Sequence, residues 1–173
     1  PGEYLRSHNE KHTAQHAATL EQLAGCYQPW ISWMKTLPLW LELGDLGGHG
    51  SRLHMVHACW SQEHMDMLMN GECGGERLIT GRSDAPCLSE AGYLRACGPE
   101  QSCEHQAVET LLKGPEIALP AGAILRDKDG NERDRIRVKW WLGMGERCRD
   151  MALVGIDDLE SIPEEAVPEP DAW

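Results

Sequence analysis

Histidine carries the most readable chemistry in this chain, and His57 holds the most telling position. It closes the alternating run "RLHMVH" (52–57), and "ACWSQEHMDML" follows with a helix start at Ser61. Side chains of an extended strand alternate between faces, so Leu53, Met55 and His57 share one face and His54, Val56 and Ala58 the other. A histidine at the end of a buried strand, just before a helix, is placed to offer a ring nitrogen into a crevice. In α/β proteins ligands often sit outside strand ends. Neutral imidazole suits zinc, manganese and iron. Alone, a strand-end histidine is more often structural than a ligand, so two readings stand: packing or metal ligand.

Other residues offer chemistry at weaker spacings. His8, His12 and His16 lie four apart, one above another on a helix, a spacing that can bind zinc. No carboxylate or cysteine completes that set, and a partly exposed helix edge accounts for the row. "DKDG" (127–130) lacks the third acidic position and the terminal glutamate of a calcium loop, so a hairpin turn explains it. Arg135, Arg137 and Lys139 are open to two readings, a phosphate-binding face or a solvated sheet face. Cys73, Cys87, Cys97 and Cys103 are spaced too widely for the close pairs typical of structural zinc. His49 in "GGHG" is not part of a phosphate loop, because no lysine and helix start follow it.

Helices and short strands must position these groups. Ser7 and Glu10 have capping-box spacing, and the helix they open runs to Gly25 with Ala14, Ala17, Leu20 and Ala24 on its apolar side. Pro29 suits the first turn of a second helix, where Trp30, Trp33, Met34 and Leu37 recur at helical spacing. Pro38 ends it. "LWLEL" and "RLHMVHA" then read as an antiparallel hairpin across a glycine-rich loop, and Ser61 caps a helix that stops at Gly71. Residues 71–101 show weak periodicity and read as loops with one short helix. "SCEHQAVETLLKGPE" is a helix with Val108, Leu111 and Leu112 inward, ended by Gly114 and Pro115. In "AGAILRDKDGNERDRIRVKWW", Asp129-Gly130 supplies a hairpin turn and Ile136, Val138 and Trp140 alternate with basic residues.

Composition narrows the function classes. A chain of 173 residues with 41% hydrophobic content suits one domain with a buried core. Phenylalanine is absent, and seven tryptophans carry most of the aromatic packing. No apolar run approaches the roughly 18 residues of a membrane span. The net charge of −12 argues against general binding to nucleic acid or anionic membranes, yet leaves room for a phosphate substrate held by metal ions. Seven cysteines without a C-x-x-C pair or a secretion signal read as reduced thiols of a cytoplasmic protein. Pro1 in place of an initiator methionine suggests a processed chain or a piece of a longer one. From Gly155 onward the chain holds seven acids, three prolines and no base, the composition of a linker or tail that buries little.

"VHACWSQEHMDML" resembles the calcineurin-like metallophosphoesterases, in which a strand ends in a hydrophobic-His-Ala/Gly step whose histidine ligates one of two metal ions. "YLRSHNEKHTAQH", "WMKTLPLWLEL", "AVETLLKGPEIALP" and "DKDGNERDRIRVKWW" are similar to one bacterial group, the serine/threonine protein phosphatase-like proteins. In order, these stretches cover most of residues 4–141. The resemblance implies an α/β fold, a sandwich of two sheets flanked by helices. It implies two divalent ions (Mn, Fe or Zn), one carrying a hydroxide that attacks phosphorus in line. The family draws its other ligands from D-x-H, G-D-x-x-D-R-G and G-N-H-E steps before this region and a G-H step after it, and none of these occurs here in that order. "LELGDLGGHG" has a Gly-Asp pair without a following D-R-G, and His49 precedes the His57 strand.

The resemblance therefore implies residues 1–154 as the central part of a metallophosphoesterase domain without its N- and C-terminal flanks, and 155–173 as an acidic tail. Only His57 carries over as a metal ligand. Lys113, in "LLKGPE", is the candidate for contacting substrate phosphate; as a helix C-terminal cation it also complements the dipole. The expected function is part of a phosphoesterase acting on a phosphoprotein or small phosphate ester, inactive alone. The alternatives are a non-catalytic binding or scaffold module and a Cys/His zinc-stabilised module. Absent flanks would leave sheet edges and apolar helix faces exposed.

Overall fold

The computed structural model describes residues 10–44, 48, 50–71, 77–98, 102–126, 130, 132–142, 147–153 and 162, the side chains of 11 and 12 excepted. Its elements are α-helical and β, with six α-helices and small antiparallel sheets among the described residues. None of the described helices is long and apolar enough to cross a membrane.

The chain opens with α1 (Glu10–Leu23), which ends where Ala24 and Gly25 take positive φ values of 37° and 85°. Ser7, the expected cap, lies outside the described residues. Helix α2 (Tyr27–Met34) holds Pro29 in its first turn, where the missing N–H costs nothing. Its apolar side is not buried: Trp30, Trp33 and Met34 all stand exposed, as does Leu20 of α1. The pattern that makes these helices amphipathic is present, but no described element covers the face.

Strands β1 (Trp40–Leu43) and β2 (Leu53–Val56) form the expected antiparallel hairpin, with Trp40 opposite Val56 and Leu43 opposite Leu53. The far side of β1 is taken by a second hairpin, β3 (Ile79–Arg82) and β4 (Ala85–Leu88). The Leu39 amide donates to the Pro86 carbonyl at 2.8 Å and that of Glu42 to the Asp84 carbonyl at 2.7 Å. This hairpin corrects the expectation of loops between residues 71 and 101. Gly81 and Pro86 face each other within it, two residues that weaken a strand pattern in sequence. A second correction concerns β2, which is not a buried strand. Leu53 and Met55 are 45% and 49% exposed, because the core lies on the Val56 side, where Trp60 also packs.

The helices behind this layer follow their signals closely. Ser61 caps α3 (Gln62–Asn70), its hydroxyl accepting from the His64 amide, and Gly71 closes it in the left-handed conformation. Ser89 caps α4 (Glu90–Ala96) and Ser102 caps α5 (Cys103–Lys113) in the same way. Such caps satisfy amides that a helix start leaves without partners and contribute about 1 kcal/mol each. Trp40, Met65, Leu68, Leu78, Ile79, Leu88, Ala107, Val108 and Leu111 form the first core. Of the three residues expected inward on α5, Val108 and Leu111 are buried and Leu112 packs partly against them.

The remainder builds a second core. Strand β5 (Glu116–Ala118) pairs with β8 (Arg135–Arg137), placing Ile117 opposite Ile136. The short strands β6 (Leu125–Arg126) and β7 (Glu132–Arg133) form the hairpin around residue 130, whose Gly130 has φ 80°. Asp129 lies outside the described residues. The expected long hairpin is thus divided, since β8 finds its partner in β5 instead. Ile136 and Val138 are buried as their alternation predicts, whereas Trp140 begins a short 3-10 turn (Trp140–Leu142). Helix α6 (Cys148–Met151) closes this core together with Ile162, which is only 1% exposed. The Arg149 guanidinium donates twice to the Ile162 carbonyl, at 2.9 and 3.2 Å. Ile162 therefore packs into the fold, although it belongs to the stretch read as an acidic tail.

Candidate functional site

Three of the singled-out stretches meet at one small residue, Ala58. β2 ends at Val56, and His57 and Ala58 follow in a bend. The Ala58 amide donates to the Leu111 carbonyl at 3.0 Å. That carbonyl belongs to the last turn of α5, where helix acceptors lack intrahelical partners, so strand end and helix end satisfy each other. The Ala58 carbonyl in turn accepts from the Trp140 indole N–H at 3.0 Å. Gly114, with φ 88°, terminates α5 beside it, so close that a Cβ there would reach contact distance, 3.9 Å, from the Ala58 Cβ. Glycine suits that position because an L side chain rarely adopts such a φ.

His57 itself is exposed and lines a groove of about 500 Å³. Met34, Leu37, Trp40, Met55, Tyr93 and Leu112 share the lining, so the imidazole stands at an otherwise largely apolar rim. The Tyr93 hydroxyl titrates above its usual range, first because burial disfavours the phenolate and then because Cys87 and Glu90 lie near. Lys35 opposes that shift: its ammonium lies 5.2 Å from the Tyr93 ring centroid and binds Glu90 at 3.0 Å.

On the opposite face of β2, His54 stacks on Trp60 with ring centroids 4.1 Å apart and planes 13° apart. Its Nε2 lies 3.8 Å from Glu42. Cys59 is buried, and burial pushes its thiol up to about 11, which keeps it protonated and unsuited as a nucleophile.

Lys113 is exposed in the last turn of α5, two residues beyond the carbonyl that holds Ala58. It is on the segment neighbouring His57, and its ammonium pairs with Glu109 one turn back. Exposed pairs of this spacing contribute only about 0.3–0.5 kcal/mol, so the lysine is readily released to another anion. Arg135, Arg137 and Lys139 are otherwise engaged. Arg135 donates to the Glu116 carbonyl at 2.8 Å, Arg137 lies 3.4 Å from the Glu116 carboxylate, and Lys139 donates to the Asp150 carbonyl at 3.0 Å. That arrangement is a solvated, internally paired sheet face.

Among the described residues no three His, Cys, Asp or Glu side chains gather to hold a metal ion. His57 supplies one donor, and the described residues do not by themselves fit a two-metal centre. His16 stands exposed on α1, while His8, His49, Cys73 and the side chain of His12 lie outside the described residues. The cysteines require one correction: among the described residues Cys26, Cys59, Cys87, Cys97 and Cys148 are thiols, but Cys103 is disulfide-bonded.

Sequence reasoning missed the part played by Trp140, which it placed as an inward strand residue. The usable signal was chemical, since a partly buried indole N–H seeks an acceptor. Compared with known proteins, the chain matches no family model, no curated protein and no solved structure.

Proposed function

We propose that this chain is the central part of a metal-dependent phosphoesterase and contributes His57 to its dinuclear centre. The observation that carries the reading is the place of His57. Its ring opens on a groove, while the residue after it is tied to the end of α5 and to Trp140. Three of the five stretches on which the family resemblance rests, those holding "VHACW", "LLKGPE" and "VKWW", converge there. In this reading the sheets belong to a two-sheet sandwich, Lys113 contacts substrate phosphate, and the remaining ligands come from polypeptide outside these 173 residues. The substrate is a phosphoprotein or small phosphate ester, and the protein acts in the cytoplasm, where a disulfide such as that of Cys103 is transient rather than structural.

The chain alone is expected to hydrolyse p-nitrophenyl phosphate with added manganese no faster than its His57→Ala variant. The decisive experiment expresses the chain together with the coding sequence that flanks it in frame. That longer polypeptide is expected to carry D-x-H and G-N-H-E steps and to show manganese-dependent hydrolysis that His57→Ala lowers by about 100-fold or more. Flanks without those steps, or hydrolysis indifferent to His57, would overturn the reading in favour of a non-catalytic module.

A further inference from the structure

We infer that Trp140 is a positioning residue for His57, acting through the backbone of Ala58. The inference rests on the reading of His57 as the working group of the site. Two peptide groups flank Ala58, and each is held from a different part of the fold. The peptide joining His57 to Ala58 is held by its N–H, which donates to Leu111 at the end of α5. The peptide joining Ala58 to Cys59 is held by its carbonyl, which accepts from the Trp140 indole, 82 residues away. The Leu111 bond holds the plane that His57 shares and the Trp140 bond holds the next one, so together they set the backbone turn at Ala58 and keep the end of the strand that carries His57 from swinging.

Trp140 is well placed to hold its end rigidly. It follows Val138, which is 1% exposed in the second core and whose amide donates to the Pro115 carbonyl at 3.2 Å. The Lys139 amide donates to Met151 at 2.7 Å, and the Trp140 amide to Val138 at 3.0 Å. On the receiving side, Cys59 is buried and Leu111 wholly so, which prevents the bend from drifting away. The chain on either side of His57 packs on the first core through Val56 and Trp60, and the second core, through Val138, anchors the segment that supplies the donor. A half-buried indole needs an acceptor somewhere. What makes this one a positioning contact is that the acceptor lies one residue from the histidine, on a bend with no strand partner of its own in the described ladder.

The test separates the indole N–H from the bulk of the ring. Replacing Trp140 by benzothienylalanine keeps a bicyclic ring of the same shape and removes the donor; Trp140→Phe is the second variant. In the 173-residue chain, the ring resonances of His57 are expected to move or split. Those of His54, His64 and His105 are expected to stay, and Trp141→Phe, which alters the neighbouring exposed indole, is expected to move none of them. In the longer polypeptide, loss of the N–H is expected to lower kcat about tenfold or more with KM unchanged, as for a loss of transition-state stabilisation that leaves substrate binding intact. His57 resonances unchanged in both variants would overturn the inference, as would a common shift of all four histidines. If the longer polypeptide hydrolyses nothing even with Trp140 intact, the phosphoesterase reading falls. The ring resonances then still decide whether Trp140 places His57.

Discussion

His64 shows how one residue links local structure to solution behaviour. Its Nδ1 lies 2.7 Å from the Ser61 hydroxyl, which also caps the start of α3. Burial lowers its pKa below the ordinary 6.5, with the charge of Glu63 opposing in part. The unfolded chain therefore takes up a proton near pH 6.5 that folded His64 refuses until lower pH. Stability from this group is complete above about 6.5 and is lost as pH falls through the folded value. Urea midpoints measured from pH 7.5 downward should fall less steeply for His64→Gln than for the unaltered chain; an unchanged slope would assign the titration elsewhere. His57 differs in burial, standing exposed at a groove rim. Its strand-end position was legible from alternation, whereas its exposure was not, because alternation does not say which face of a sheet receives the core.

Helix signals proved the most legible elements, and the reason is local. Ser61 and Ser102 each accept from an amide three residues on, and Gly71 closes α3 without help from distant residues. The β3–β4 hairpin was illegible because its partners are not local. It is recruited along β1 by the Leu39 and Glu42 amides, and this outweighs the strand-breaking character of Gly81 and Pro86. Gly92 of α4 records how close that packing is. A Cβ there would lie 2.3 Å from the Leu78 carbonyl oxygen and 2.9 Å from Leu88. Alanine would ordinarily favour a helix, so the sign of its effect here distinguishes propensity from packing. Gly92→Ala should destabilise by about 1–3 kcal/mol in denaturant unfolding, as overpacking does; a gain in stability would mean that α4 does not press on β3 and β4 in this way.

At the scale of the whole molecule, two cores meet at the Ala58 bend, and the second depends on a residue far along the acidic segment. Ile162→Ala should cost about 2–5 kcal/mol by equilibrium unfolding, the range for truncating a buried aliphatic side chain. A change under about 0.5 kcal/mol, typical of surface positions, would show that Ile162 is not part of that core. The cysteines pose a second whole-molecule question. Thiol titration of the denatured, unreduced protein should count fewer than the seven cysteines of the sequence, because Cys103 is bonded. A count of seven, every cysteine in the sequence, would fit the reduced cytoplasmic state and remove the disulfide at Cys103.

By itself the sequence determined the helices α2, α3 and α5, the β1–β2 pairing, the burial of Ile136 and Val138, and the amphipathic faces of α1 and α2. These follow from caps, glycine stops and periodicities that act within a few residues of chain. Tertiary structure alone decided that those faces stay uncovered among the described residues and that β8 leaves its nearest neighbour for β5. It also decided that Cys103 is bonded, and that Leu111 and Trp140 close on Ala58. These depend on which groups distant in sequence meet and which do not, from β5 and β8 to the Trp140 indole 82 residues from Ala58, and no local spacing encodes that.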